Sequence, residues 1–375
     1  MITTPNRFTA LDVFRGMTVC LMIIVNSPGN YGTTFAPLLH AQWNGFTPTD
    51  LVFPSFLFAV GNSISFVLPK WKNISQASVL IKILKRTTII FLLGFLMYWF
   101  PFVKFNPSND LIFAPFDHTR IFGVLQRIAL CYGIASLLIY YSKTKTVFII
   151  SILLLLLYWF LLLYFGNATD PFGMQTNFGF SVDKWLVGEN HLYHGEGVAF
   201  DPEGLLSTLP AVSNVIGGYL AGKFIQEKGK TYEMLLKLML VGSSLLLVSY
   251  FWNLNFPVNK KLWTSSFVTL TVGLDLLFLA SIIYVIDFIK KTKWTGFFLV
   301  FGRNPLVIYI LSELILIILM FLKIDSTTTV YKWIFINGFA GFGDYTGSLL
   351  FAITVMLFCW LTGYALDKKK IYIKV

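Results

Sequence analysis

One histidine and one aspartate stand ten residues apart in LLHAQWNGFTPTDLVFPSF, residues 38–56. His40 is one of only four histidines in the 375-residue chain, and the amides of Gln42 and Asn44 follow it closely. Histidine titrates near neutral pH, so it can take a proton from an amine or a hydroxyl as a general base. It can also carry an acyl group covalently. Asp50 fits two roles. TPTD ahead of an apolar run reads as a helix start, with Thr47 or Thr49 as the cap and Pro48 in the first turn. Asp50 would then be a first-turn carboxylate favoured by the helix dipole. It would equally serve as the group that orients His40. No GxSxG, P-loop or Rossmann fingerprint competes with this stretch.

Other ionisable residues sit where the chain is most apolar. A charge at the centre of a bilayer costs about 3 kcal/mol or more, so each needs a partner or a task. Asp12 and Arg15 are three apart and share a helix face, either as an ion pair or with Arg15 turned to a polyanionic ligand. Arg120 and Arg127, in DHTRIFGVLQRIAL, are seven apart, which on a helix is again one face. Arg127 is expected about 10 Å into its span, facing a polar cavity. Arg303 and Asn304 precede Pro305 in FGRNPL, where a proline breaks a helix and leaves either a ligand site or a plain kink. Asp275 and Glu313 carry no assignment, and Asp287 lies near a span end. FDPEGLLSTLP (200–210) opens a span with Asp201 as N-cap, Pro202 in the first turn and Glu203 after it. Those carboxylates either cap the helix or face a polyol or amine. His191 and His194, in HLYHGEG, could bind a metal with Glu196, but a glycine-flanked loop favours surface solvation and no further ligand stands at metal spacing, so no metal is expected.

These residues must be positioned by an unusually apolar chain. It is 56% hydrophobic, 17% aromatic and 13% charged, with a mean hydropathy of +0.71. Soluble domains carry about 25% charged residues. The composition excludes an ordinary soluble enzyme and points to an all-α, polytopic membrane helix bundle. A crossing helix needs about 20 apolar residues. Ten spans satisfy this, at roughly 11–28, 50–69, 79–101, 120–141, 146–166, 204–224, 233–253, 264–288, 295–322 and 346–366. Residues 1–375 then form a single transmembrane domain with its longest loop at about 167–203. Cys20, Cys131 and Cys359 all fall in apolar runs and imply no disulfide framework. Asp12 and Arg15 interrupt the first apolar stretch, so no cleavable signal is expected.

Ten spans put both termini on one side. Nineteen lysines and arginines fall on that side and six on the other, with Arg15, Arg120, Arg127 and Arg303 within or at the ends of spans. The positive-inside rule makes the rich side, and both termini, cytoplasmic. The net charge of +11 is thereby a topology signal and not a nucleic-acid patch. All four histidines and the acidic 167–203 loop come out on the opposite, extracytoplasmic side.

RFTALDVFRGMTVCLMIIVN, LLHAQWNGFTPTDLVFPSFLFAVGNSI, DHTRIFGVLQRIA, FDPEGLLSTLP, FPVNKKLWTSSFV and GRNPLVIYILSE together resemble the heparan-α-glucosaminide N-acetyltransferase family of transmembrane acyltransferases. The resemblance runs from about residue 7 to 315. It implies a bacterial, inner-membrane member without the family's N-terminal lumenal domain. It further implies an enzyme that takes acetyl-CoA from the cytoplasm and acetylates an amino sugar on the far side of the membrane. The family's active-site histidine falls on His40 and a pocket asparagine on Asn26. Asn26, Asn44, Asp50, Asp201 and Glu203 form the expected substrate-binding set. Arg15, Arg127, Arg303 and Asn304 form the expected set for acetyl-CoA, since arginine recognises phosphate well. A homodimer is the expected assembly. Transfer through an acetyl-histidine and direct transfer both remain open. So do O-acylation of an envelope glycan and, in a different class, sugar transport.

Overall fold

The computed structural model describes residues 8–71, 73–106 and 110–373. Arg7, Lys72 and Lys374, which enter the charge count above, and residues 107–109 of the NPSND turn lie outside them. The described chain is mostly helical. A short antiparallel hairpin, Val103–Phe105 with Leu111–Phe113, is paired Val103 to Phe113. Among the described residues, seven helices suffice by length and composition to cross a membrane, or eight if one bent pair counts as a span. That is fewer than the ten spans expected. The helices at Gln76–Trp99 and Thr208–Lys228 are not among the seven. The first carries Lys82, Lys85 and Arg86, and the second carries Lys223, Glu227 and Lys228.

The chain divides into two compact units. One takes the residues up to His40, Thr47–Phe56 and the residues from Phe278 on; the other takes Ala41–Phe46 and Leu57–Leu277.

The first unit contains α1 (Thr9–Asn26), the one-turn segment Pro48–Leu51, the start of α2 (Val52–Trp71) and the end of α9 (Ser265–Ile283). It continues through α10 (Thr295–Arg303), α11 (Pro305–Phe321), α12 (Val330–Gly338) and α13 (Asp344–Lys368). α1 and α10 cross closely because Gly16 packs on the Phe298 carbonyl and Gly302 on the Asp12 carbonyl. Small residues at such crossings let helix backbones touch without lipid between them. α10 and α11 meet at an 83° bend. Pro305 cannot donate an amide there, so the helix restarts at it as a first-turn residue.

The second unit holds the rest of α2, α3 (Gln76–Trp99), α4 (Val124–Tyr141), α5 (Thr144–Phe165), α6 (Phe178–Val187), α7 (Thr208–Lys228), α8 (Tyr232–Trp252) and α9 to Leu277. Gly61 and Gly218 allow α2 and α7 to approach backbone to backbone. α5 and α8 are apolar all round, yet only 22% and 28% of their central windows are buried. Such helices need lipid on their outer faces.

Candidate active site

The first unit assembles His40 and Asp50. The imidazole Nδ1 lies 2.7 Å from Asp50 Oδ1. The histidine side chain is 42% exposed and the aspartate 1%. Local sequence fixes this pair. Thr47 precedes the turn Pro48–Leu51 and closes a capping box with Asp50. Its backbone N–H donates to Asp50 Oδ2 at 2.9 Å, and its hydroxyl lies 3.1 Å from the same oxygen. The hydroxyls of Thr47 and Thr49 also reach the carbonyls of Leu39 (2.7 Å) and Pro37 (3.0 Å), which ties the 37–40 segment down over the turn. Asp50 thus fills both roles read from sequence: one oxygen caps the turn and the other meets the histidine. A carboxylate at Nδ1 selects the Nδ1–H tautomer and puts the basic lone pair on Nε2. That is the arrangement of an oriented general base or acyl acceptor.

The same unit holds four further expected site residues. The Asn26 amide, at the end of α1, donates to Glu313 Oε1 of α11 at 3.1 Å. Arg15 pairs with Asp12 Oδ1 at 2.7 Å and its Nε donates to the Gly302 carbonyl at 2.9 Å. Arg303 Nη1 pairs with Asp367 Oδ2 at 2.5 Å, while its buried Nε has no hydrogen-bond partner among the described residues. Asn304 spans the break, donating to the Ile371 carbonyl and accepting from the Ile373 amide.

Asp201, Glu203, Arg127 and Asn44 belong to the second unit, and His40 to the first. Asp201 does not cap a helix. α7 begins at Thr208 with Ser207 ahead of it, and Asp201 Oδ1 instead accepts from the Glu203 amide at 3.0 Å. The FDPEGLLS segment is a pinned loop. Arg120 binds Asp201 through two nitrogens, Nη2 at 2.6 Å and Nε at 3.0 Å, and Glu203 Oε2 at 2.6 Å. Its guanidinium also lies over the rings of Tyr98 and Tyr193. Burial raises Asp201 above the usual carboxylate range despite Arg120. Burial also opposes ionisation of Glu203, but Arg120, Arg127 and Lys260 outweigh it and lower its pKa.

Arg120 and Arg127 do not share a helix face, because Arg120 precedes α4 and Arg127 is its fourth residue, about 4.5 Å along it. Arg127 is wholly buried. Its Nη2 donates to the Gly204 carbonyl at 2.9 Å and to the Ser207 hydroxyl. Its plane lies 4.8 Å from the Trp263 ring centre. Trp263 takes a left-handed φ of 56°, rare for a bulky residue, and its indole donates to Asn214 at 3.0 Å. Asn44 Oδ1 accepts from Asn259 at 3.2 Å.

Arg120, Trp263, Asn259 and Asp183 were not among the expected site residues. The DHTR and FPVNKKLW motifs carry the first three, but their partners lie 49 or more residues away in the chain. Asp183, on α6, accepts from the Leu205 amide at 2.7 Å. Burial pushes its carboxyl up to about 7. The acid form is therefore favoured in the fold. That contribution is full below the ordinary value of 3.8 and is lost as pH rises through about 7. Asp183→Asn keeps the acceptor and removes the titration. Thermal unfolding in detergent is expected to show wild type losing stability from pH 5 to pH 8 and Asp183→Asn losing less. Parallel curves would contradict this.

Fold and site together define an all-α, multi-pass membrane protein that presents a histidine oriented by a buried carboxylate. Residues 7–183 match the family model for the heparan-α-glucosaminide N-acetyltransferase catalytic region, and the chain belongs to that family. It is 31% identical over 368 residues to the human heparan-α-glucosaminide N-acetyltransferase, an alignment covering 82% of this chain and 53% of that protein. The mouse enzyme of the same name is 29% identical over 370 residues, with 84% and 54% covered. The chain spans about half the length of these curated relatives.

Proposed function

We propose that this protein transfers an acetyl group from acetyl-CoA, taken up on the cytoplasmic side, to the amine of a glucosamine-type sugar on the extracytoplasmic side of a bacterial inner membrane. The observation that carries the reading is the His40–Asp50 pair, an exposed imidazole on a buried, capped carboxylate. His40 Nε2 removes the proton from the attacking amine, or first accepts the acetyl group and passes it on. In direct transfer the thioester C–S bond breaks and the proton that His40 takes from the amine passes to the departing sulfur, giving the CoA thiol. In the acetyl-histidine route CoA leaves as the thiolate, and the proton lost by the amine in the second step balances it. Asp50 stabilises the imidazolium that forms.

Asn26 and Glu313 supply polar groups of the same unit for the sugar. Arg15, Arg303 and Asn304 are the proposed groups for the phosphates of CoA, and the reading is best supported at Arg303, whose buried Nε has no hydrogen-bond partner among the described residues. Arg127 bonds the 204–207 loop, which makes it a brace for that loop. Asn44, Asp201 and Glu203 complete the proposed acceptor groups, and no metal enters the chemistry as written. Two copies of the chain form the proposed assembly.

Purified protein incubated with acetyl-labelled CoA and a panel of amino sugars is expected to label glucosamine or a glycan that ends in it. Label on hydroxyls alone would favour O-acylation. Transport of sugar into vesicles with no transfer to any acceptor would overturn the enzyme reading.

A further inference from the structure

The Ala41–Phe46 segment is docked within its own unit. The Gly45 amide donates to the Val258 carbonyl at 2.8 Å, and the Trp43 indole donates to the Phe172 carbonyl at 3.1 Å. Between these contacts opens a pocket of about 580 Å³, within the range of small-molecule sites, about 300–1,000 Å³. Three distant stretches of chain line it. Trp43, Phe172 and Pro257 give apolar walls, and Asn44, Thr169 and Asp170 give polar groups.

That combination matches the chemistry of a pyranose. Its ring presents a face of C–H groups that packs on apolar and aromatic walls, and an edge of hydroxyls that needs donors and acceptors. The walls are held in place without a ligand. Trp43 lies edge-on to Phe200 at 5.5 Å and Phe172 packs on Phe256 at 4.9 Å. Asn44 is fixed through its carbonyl oxygen by Asn259, so its amide nitrogen is the group offered to a ligand. Asp170 Oδ2 is steadied by the Thr176 hydroxyl at 3.3 Å. Pre-set groups spare a ligand the ordering cost of binding. Asp170 is the one ionisable residue among those lining the pocket, so the site suits neutral or cationic sugars and disfavours sulfates and uronates.

We propose that this pocket is a glycan subsite that holds a further neutral or amine-bearing sugar of the acceptor, making the substrate an oligosaccharide. The proposal rests on the acyltransferase reading for its role, and on the pocket alone for its existence. Trp43 and Asn44 follow His40 by only three and four residues in the chain.

The test uses the full chain in detergent with glucosamine and with a β-1,4-linked glucosamine tetramer. Asp170→Asn retains the acceptor that Thr176 uses. It is expected to raise KM for the tetramer about five- to tenfold, the worth of one hydrogen bond. It should leave kcat and the KM for free glucosamine unchanged. Thr169→Val gives the same pattern more weakly. Equal losses on both acceptors, or no change on either, would sink the subsite.

A binding measurement separates the two readings. His40→Ala protein, which needs no acetyl transfer, is titrated with the tetramer by saturation-transfer NMR. Loss of tetramer binding on adding Asp170→Asn supports the pocket even if no acceptor is ever acetylated. Undiminished binding overturns the pocket and leaves the acetyl-transfer reading intact.

Discussion

His40→Ala is expected to lower acetyl transfer about 10³-fold or more while the protein still folds and binds CoA. The imidazole is 42% exposed, so its loss opens no core cavity, and the effect should appear in kcat. Asp50→Asn is expected to cost about 10²–10³-fold, because an amide no longer selects the Nδ1–H tautomer or balances the imidazolium. Asparagine can keep its oxygen on the Thr47 amide, from which Asp50 Oδ2 accepts at 2.9 Å, so the cap survives in that variant. Asp50→Ala removes the cap as well and should cost about 1 kcal/mol of stability beyond the loss of activity. Unfolding curves should therefore separate Asp50→Ala from His40→Ala even where both are inactive. The route is read from the same protein. Acetyl-CoA added without acceptor gives a burst of free CoA and labelled protein if His40 carries the acetyl group, and neither if transfer is direct. A His40→Ala protein that keeps wild-type kcat would remove the dyad from the mechanism.

The dyad was legible because its parts are local. A capping box is a four-residue pattern, and the loop that returns His40 to the turn is only seven residues long, so spacing showed the cap and put a carboxylate within reach of His40, while the family resemblance singled out His40 among the four histidines. The helical class was equally plain, since long apolar runs admit little else. The break at Arg303–Asn304 followed from Pro305. What stayed hidden depends on contacts across long stretches of chain. Arg120 looked like a helical neighbour of Arg127 until α4 was seen to begin at Val124. Asp201 looked like an N-cap because Asp-Pro-Glu has that composition, yet α7 starts seven residues later. The carboxylates there answer to a guanidinium 81 residues away. Asp183 sits in the stretch that reads as the acidic 167–203 loop, and only its burial and its bond to the Leu205 amide mark it. Apolar periodicity places helices well, but it does not place the polar loops between them, and those loops carry most of the charged chemistry.

Arg120 is where that hidden chemistry predicts the largest loss of stability. It is the hydrogen-bonded cation common to two buried carboxylates, Asp201 and Glu203. Removing one partner of a buried ionic cluster costs about 3–5 kcal/mol, because the charges left behind stay desolvated. Arg120→Met should therefore unfold at markedly lower denaturant or temperature than wild type. Arg120→Lys should recover only part, since an ammonium cannot reproduce the two-nitrogen grip on Asp201. The pH dependence has a definite sign. In wild type, the lowered pKa of Glu203 gives stability that is present above its ordinary 4.5 and lost as pH falls through the depressed value. Asp201 is raised, so its share is full below 3.8 and is lost as pH rises through the folded value. Without Arg120 both carboxyls behave in the second way, and acid should restore the variant relative to wild type. Neutralising the partners makes the decisive comparison. Arg120→Met combined with Asp201→Asn and Glu203→Gln leaves no stranded charge, and isosteric neutral replacements of buried ion clusters are often well tolerated. The triple variant is expected to regain more than half of the stability that Arg120→Met loses, a large coupling for residues in one network. If it melts with the single variant at every pH, the loop is held by packing and the ion cluster is incidental.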